Sequence, residues 1–178
     1  MRALLSHLRR ILRKEDGSAA VEFVIVFPVI ATMIVMTLEM GFITLRQTLL
    51  DRGLDMAVRE IRLGTNTEPE YDQIKALVCQ NAIFLVDCDQ QLFLEMTPTD
   101  PRAFVPLDET ASCTDEEVPE IRPVRSFTPG QANELVMMRA CVLYDPLFPE
   151  ALLARLLETD GANRAAIVSI TAFVQEPV

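Results

Sequence analysis

Residues 18–45 read SAAVEFVIVFPVIATMIVMTLEMGFITL, and Glu22 and Glu39 are the only charged side chains in the run. A helix of about 20 apolar residues crosses a bilayer core, and residues 23–38 with their flanks supply them. In lipid every backbone N–H and C=O must be bonded within the segment, so a single span here has to be helical. Pro28 removes one donor and predicts a kink, which membrane helices tolerate. The competing reading is a buried helix of a globular protein. Such a helix would show a polar face and would not follow a basic cluster. Arg2, Arg9, Arg10, Arg13 and Lys14 precede the run, against Glu15 and Asp16, so the formal net charge of −10 divides into +3 over residues 1–16 and −13 over the rest. Basic residues stay on the cytoplasmic side of a span, which places the acidic body across the membrane. The apolar run exceeds the roughly 7–15 residues of a secretory signal and no small-x-small site closes it, which argues against a cleaved signal peptide.

The remaining composition narrows the function. The chain has 178 residues, room for one domain of ordinary size, and half of it is apolar, which excludes global disorder. Its acidity argues against a general nucleic-acid binder, which needs cations to replace counterions on phosphates. The single histidine, His7, precedes the span. Residues 46–178 hold one lysine, Lys75, and contain no phosphate-cradling Gly-rich loop, no HExxH and no nucleophile elbow. The expectation is a non-enzymatic protein with no catalytic residue, no cofactor and no metal. Asp87 with Asp89, and residues 115–117, are acidic but lack the ligand spacing of a calcium loop.

All four cysteines, Cys79, Cys88, Cys113 and Cys141, lie beyond the span, in the compartment where disulfides persist. No CxxC pair exists, which disfavours structural zinc. Four cysteines allow three connectivities, and the sequence alone does not choose among them. Cys79 and Cys88 flank an expected helix-to-strand corner, which favours Cys79–Cys88 with Cys113–Cys141.

The junction between the basic and apolar segments carries the most specific signal. In Asp16-Gly17-Ser18-Ala19-Ala20-Val21-Glu22-Phe23, a glycine precedes the apolar helix, with Glu at the fifth position after it and Phe at the sixth. This resembles the prepilin-peptidase site of type IV pilin-like proteins. With Val21-Glu22-Phe23, Pro28, Glu39 and Gly41, the segment is similar to the TadE/TadG-like minor pilins (pseudopilins) of tight-adherence (Tad, or Flp) pilus systems. The strong resemblance covers residues 16–45. It implies cleavage between Gly17 and Ser18 and a processing and assembly motif at Glu22 and Phe23. It also implies helix-pairing roles for Pro28, Glu39 and Gly41. The implied partners are the membrane, a prepilin peptidase, other Tad minor pilins, the major Flp pilin and the Tad inner-membrane assembly platform, with no nucleic acid. The implied role is pilus initiation, priming or capping, in adherence and biofilm formation. The implied location is the inner membrane, single-pass, with the N-terminus cytoplasmic, the head periplasmic, and a possible place in the pilus or at the cell surface. The alternative is an uncleaved bitopic protein serving as a periplasmic adaptor or scaffold of an envelope complex.

Residue chemistry gives these positions a physical basis. Gly17 has no side chain, so an extended segment there can lie against a peptidase backbone. Cutting after it would create an ammonium at Ser18. Glu22 lies about one turn inside the new end, where a carboxylate favours the helix dipole and, in lipid, needs a cationic partner. The resemblance implies that this partner is the free N-terminus of a neighbouring subunit. Glu39 follows Glu22 by 17 residues, about 25 Å along a helix. That puts it near the outer interface, either as an anchor or paired with a partner helix.

Beyond residue 45 the periodicity becomes amphipathic. Leu49, Leu50, Leu54, Ala57, Val58 and Ile61 recur at steps of three and four, predicting one long helix from residue 18 to 63 that stops at Gly64. A second helix is expected over residues 70–82, strands over 88–97, 134–144 and 166–176, a long loop over 98–130, and a short helix over 149–158 that stops at Gly161. The expected fold class is α+β: a transmembrane helix continuing into an amphipathic helix, then a small antiparallel, pilin-like sheet. The expected divisions are a leader over 1–17, a span over 18–45 and a head over 46–178.

Overall fold

The computed structural model describes residues 18–63, 70–103, 113, 127–149, 152–157 and 164–176. Helix α1 runs without interruption over Ser18–Leu63, with Pro28 inside it. Helix α2 (Tyr71–Asn81) and a single helical turn, α3 (Cys88–Gln91), lead into strand β1 (Leu92–Thr99). Strand β2 (Leu135–Tyr144), the short helix α4 (Leu152–Leu156) and strand β3 (Ala165–Val174) complete the order. The sheet is antiparallel with β2 in the centre. The expected long helix, the mixed helix and strand content and the antiparallel sheet are all present. Gly64, Gly161 and most of the expected 98–130 loop lie outside the described residues.

The chain divides into two compact units after Leu38. Before that point most side chains of α1 lie open: Phe23, Val24, Ile25, Val29, Met33 and Ile34 are all exposed. The helix is long and apolar enough to cross a membrane, and none of its apolar window is buried. Its hydroxyls suit that setting. Thr32 and Thr37 donate to the Val29 and Met33 carbonyls at 2.8 Å, so these polar groups are satisfied within their own helix.

Burial begins at Glu39, which is fully enclosed in the second unit. From there α1 is amphipathic, and Leu50, Leu54, Ala57, Val58 and Ile61 enter the core. Ile74 and Val78 of α2 join them, with Leu92, Leu94 and Met96 of β1 and alternate residues of β2 and β3. Each of the larger side chains, Val, Leu, Ile, Phe or Met, contributes about 1.5–3 kcal/mol by leaving water. Gly53, which weakens a helix in isolation, sits at the α1–α2 crossing. A Cβ there would lie 2.8 Å from the Val78 carbonyl oxygen, so the helices approach as closely as a glycine permits. The opposite face of the sheet carries a smaller cluster of Cys113, Cys141 and Leu143, flanked by Phe93 and Val168. On the same face Glu95 and Arg139 stand directly opposite across β1 and β2 and form a part-buried ion pair, with Arg139 Nε 3.0 Å from Oε2.

The first strand starts later and ends later than its sequence predicts. Asp87 takes a left-handed conformation with φ of 51°, and its carbonyl accepts from the N–H groups of Gln90 and Gln91 at 2.9 Å. This turns residues 88–91 into a helical turn. Strand β1 then extends through Pro98, which pairs with Val136. Proline is compatible with that position because β1 is an edge strand and the missing N–H breaks no inner ladder.

Candidate functional site

The charged positions of α1 stand in contrasting environments. Gly17, the residue before the expected cleavage, lies outside the described residues, and Ser18 is the first residue of the helix. Glu22 is exposed on α1, and among the described residues no hydrogen bond or ion pair reaches it. Phe23 is exposed as well and stacks on Phe27 one turn later, with ring centroids 5.0 Å apart. Pro28 lies within the helix and is exposed, and Gly41 faces open space, with nothing within 4 Å of a Cβ built there.

Glu39 differs. Its side chain is 0 % exposed, and its two oxygens each accept one backbone N–H: Leu147 to Oε1 and Phe148 to Oε2, both at 3.2 Å. The local sequence explains the choice of donors. Leu147 and Phe148 lie between Pro146 and Pro149, and proline has no N–H. Residues 146–149 therefore offer two donors, and Glu39 takes both. A carboxylate with both oxygens bonded to fixed amides can be enclosed at moderate cost, whereas an unpaired one cannot.

Next to this tie, the Arg46 guanidinium lies 4.7 Å from the Tyr144 ring centroid, and its Nη1 reaches the Asp145 carbonyl at 3.5 Å. Burial pushes the Tyr144 phenol above its ordinary range; the Arg46 charge opposes this and Glu39 adds to it. Further along, Gln47 donates to the Val168 carbonyl of β3 at 3.1 Å, and Arg62 pairs with Glu176 at 2.7 Å. Helix α1 and strand β3 therefore run side by side in the same direction, and the Glu39 end of the head is the end where β2 finishes and β1 begins.

The cysteines pair as Cys79–Cys88 and Cys113–Cys141, each with Cα atoms 5.7 Å apart. The first ties α2 to the α3 turn. The second ties residue 113 to the central strand.

Glu39 thus has both carboxylate oxygens bonded inside its own head, to donors that the sequence reading did not name. Leu147 and Phe148 carried no sequence signal for this role beyond the two prolines that flank them. What remains along α1 is a bare apolar helix headed by a carboxylate one turn from its start. Residues 17–59 match the TadE-like protein family. This TadE-like segment opens at Gly17 and includes Ser18, Glu22, Phe23, Pro28, Glu39 and Gly41. It ends within the part of α1 that packs on the sheet, so the cysteines and all three strands lie outside it. No curated protein and no solved structure matches the chain.

Proposed function

We propose that the chain is a minor pseudopilin of a Tad/Flp-type pilus assembly system. In this reading it is anchored by one helix, processed by a prepilin peptidase between Gly17 and Ser18, and acts without catalysis of its own in initiating, priming or capping the pilus. The observation that carries the reading is the TadE-like match that opens at Gly17 and runs along an exposed apolar helix bearing Glu22. Its partners would be the other Tad minor pilins, the Flp pilin and the inner-membrane platform, with the head on the far side of the membrane from the arginines. Two disulfides in the head suit that oxidising side.

Chemistry supplies the assembly step. Cleavage after Gly17 removes the basic cluster and leaves an ammonium at Ser18. Glu22, four residues on, carries a charge that is costly in lipid until it meets a cation. The new ammonium of an adjacent subunit fits that need.

Intact mass and N-terminal sequencing of the protein from its native membrane test the reading. The mature chain should begin Ser-Ala-Ala-Val-Glu in cells with active prepilin peptidase. Recovery of only the full-length chain from such cells would refute it and favour an uncleaved periplasmic adaptor.

A further inference from the structure

We infer that the open edge of β3, at Ile170, Ala172 and Val174, takes up one extended segment of a partner protein as an added strand of the sheet. The inference concerns the head alone and does not rest on the pseudopilin reading. Its basis is the direction in which the backbone groups of the two outer strands point.

The carbonyl of Val168 accepts from the Gln47 side chain at 3.1 Å, so it is turned away from β2. In an antiparallel pair the N–H and C=O of one residue point to the same side, and successive residues alternate. Ile170, Ala172 and Val174 therefore face outward as well. Gln175 agrees with this phase, since its N–H donates to Glu134 at 3.0 Å and its carbonyl accepts from Asn133 at 2.9 Å, both on the β2 side. Among the described residues, no hydrogen bond reaches the outward groups of Ile170, Ala172 or Val174. The outer edge of β1 is treated differently. There the Leu94 N–H donates to the Tyr71 hydroxyl at 3.5 Å, the Met96 carbonyl accepts from Thr128 at 2.9 Å, and Pro98 has no N–H. These are devices that stop a strand from being extended, whereas β3 reads AAIVSITAFV, with neither a charge nor a proline.

A row of outward amides and carbonyls is matched by another extended backbone, which identifies the class of occupant. Residues 170–174 of a strand span about 13 Å, enough for a segment of similar length. Space lies beside them: a groove of about 790 Å³ is lined by Asp55, Arg59 and Leu63 of α1 and by Ala172 and Val174 of β3. Ile170 and Val174 are 54 % and 48 % exposed, so partner residues opposite them gain by being apolar and β-branched. The residues between turn toward Asp55 and Arg59, where polar side chains fit. The position of α1 restricts the occupant to a bare strand. Helix α2 takes the β1 side of the helical layer, through Tyr71, and α1 takes the β3 side, reaching it at Gln47 and Arg62. A second copy paired through the same edge about a two-fold axis would bring its own α1 to the same face. The two β3 strands would then be about 4.8 Å apart, whereas packed helix axes need about 8–10 Å.

The probe is a capped peptide of alternating valine and threonine with a lysine at each end, added to the full-length chain in detergent micelles. Hydrogen exchange is read amide by amide by NMR. Without peptide, the amides of Ile170, Ala172 and Val174 should exchange fast, and those of Thr171 and Phe173, which face β2, slowly. Peptide should slow the first three by about tenfold or more. Ala172→Pro removes an outward N–H and no bond to β2, a place where an edge strand tolerates proline. It should keep slow exchange at Thr171 and Phe173 and lose the effect of the peptide. Ile170→Lys puts a charge on an exposed side chain of the same edge and should also lose it, which covers the case in which proline disturbs the strand. Slow exchange at all three outward amides in the monomeric chain without peptide would show that the chain covers its own edge, and the inference would be overturned. Slowing that tracks protein concentration and a doubled mass would make a second copy the occupant and overturn it too. So would the absence of slowing at millimolar peptide, or full slowing in both variants.

Discussion

Replacing Glu39 by glutamine tests whether the carboxylate fastens the 146–149 segment. The side chain keeps its length and shape but exchanges one acceptor oxygen for an NH2 donor. One of the two amides, Leu147 or Phe148, then faces a donor, and the other keeps a bond without charge assistance. An orphaned buried polar group costs about 1–3 kcal/mol, and the loss of charge assistance on the surviving bond about 1 kcal/mol more. Leu147 and Phe148 are part-exposed, so water can reach a freed amide. That places the expected cost in the lower half of the range, at roughly 2 kcal/mol. The effect should be local. In hydrogen exchange on the full-length protein in nanodiscs, the amides of residues 147 and 148 should lose protection by a factor of roughly 30, since each 1.4 kcal/mol is tenfold. The β2–β3 ladder should hardly change. Glu39→Asp should act in the same direction, because the shortened side chain withdraws both oxygens. Unchanged exchange at residues 147 and 148 in Glu39→Gln would show that the two contacts carry no free energy, and the fastening role would be wrong.

Three further outcomes follow from the packing of the head. Gly53→Ala should destabilise by about 1 kcal/mol or more, because overpacking against the Val78 carbonyl at 2.8 Å outweighs a helix-propensity gain of similar size; a raised denaturation midpoint would refute the close approach of α1 and α2. Tyr144 has a phenol raised above its ordinary 10.0, so its burial stabilises the head fully below pH 10 and the contribution is lost as pH rises through the higher folded value. Tyr144→Phe should remove that alkaline decline in urea denaturation from pH 9 upward, and a parallel decline in both proteins would sink the assignment. The two disulfides close loops with sequence separations of 9 and 28, worth ~2.7 and ~3.6 kcal/mol on chain-entropy grounds. Paired replacement of Cys113 and Cys141 by alanine should therefore cost more than that of Cys79 and Cys88, and the reverse order in denaturation midpoints would contradict it.

The elements that could be read from the sequence are those written in local pattern. The change from an all-round apolar run to steps of three and four fixes α1 over 18–63, and β-branched alternation marks β3 at residues 165–174. Strand β1 was misplaced because its start depends on one backbone conformation, the left-handed Asp87, which no periodicity records. Gly53 read as a weak point of a helix, and its meaning appears only when α2 lies across it. The Glu39 contact was hidden for a different reason. Its donors are 108 and 109 residues away and are backbone groups, which leave no mark of residue type beyond the prolines on either side. The TadE-like segment that opens at Gly17 and includes Ser18 and Glu22 was legible because its pattern is short and linear in the sequence.

The two carboxylates of α1 look alike in the sequence, each a lone acid in an apolar run, and the structure separates them by what satisfies them. Glu39 has both oxygens bonded inside its own head, so its charge needs nothing from a neighbour. Glu22 has no hydrogen-bond or ion-pair partner among the described residues, while its helix is long and apolar enough to enter lipid. An acid placed there stays costly until a cation arrives. In the pseudopilin reading proposed above, the need for an intermolecular partner would fall on Glu22 and not on Glu39. On that reading a replacement at Glu22 should be felt between subunits, and one at Glu39 within a single chain.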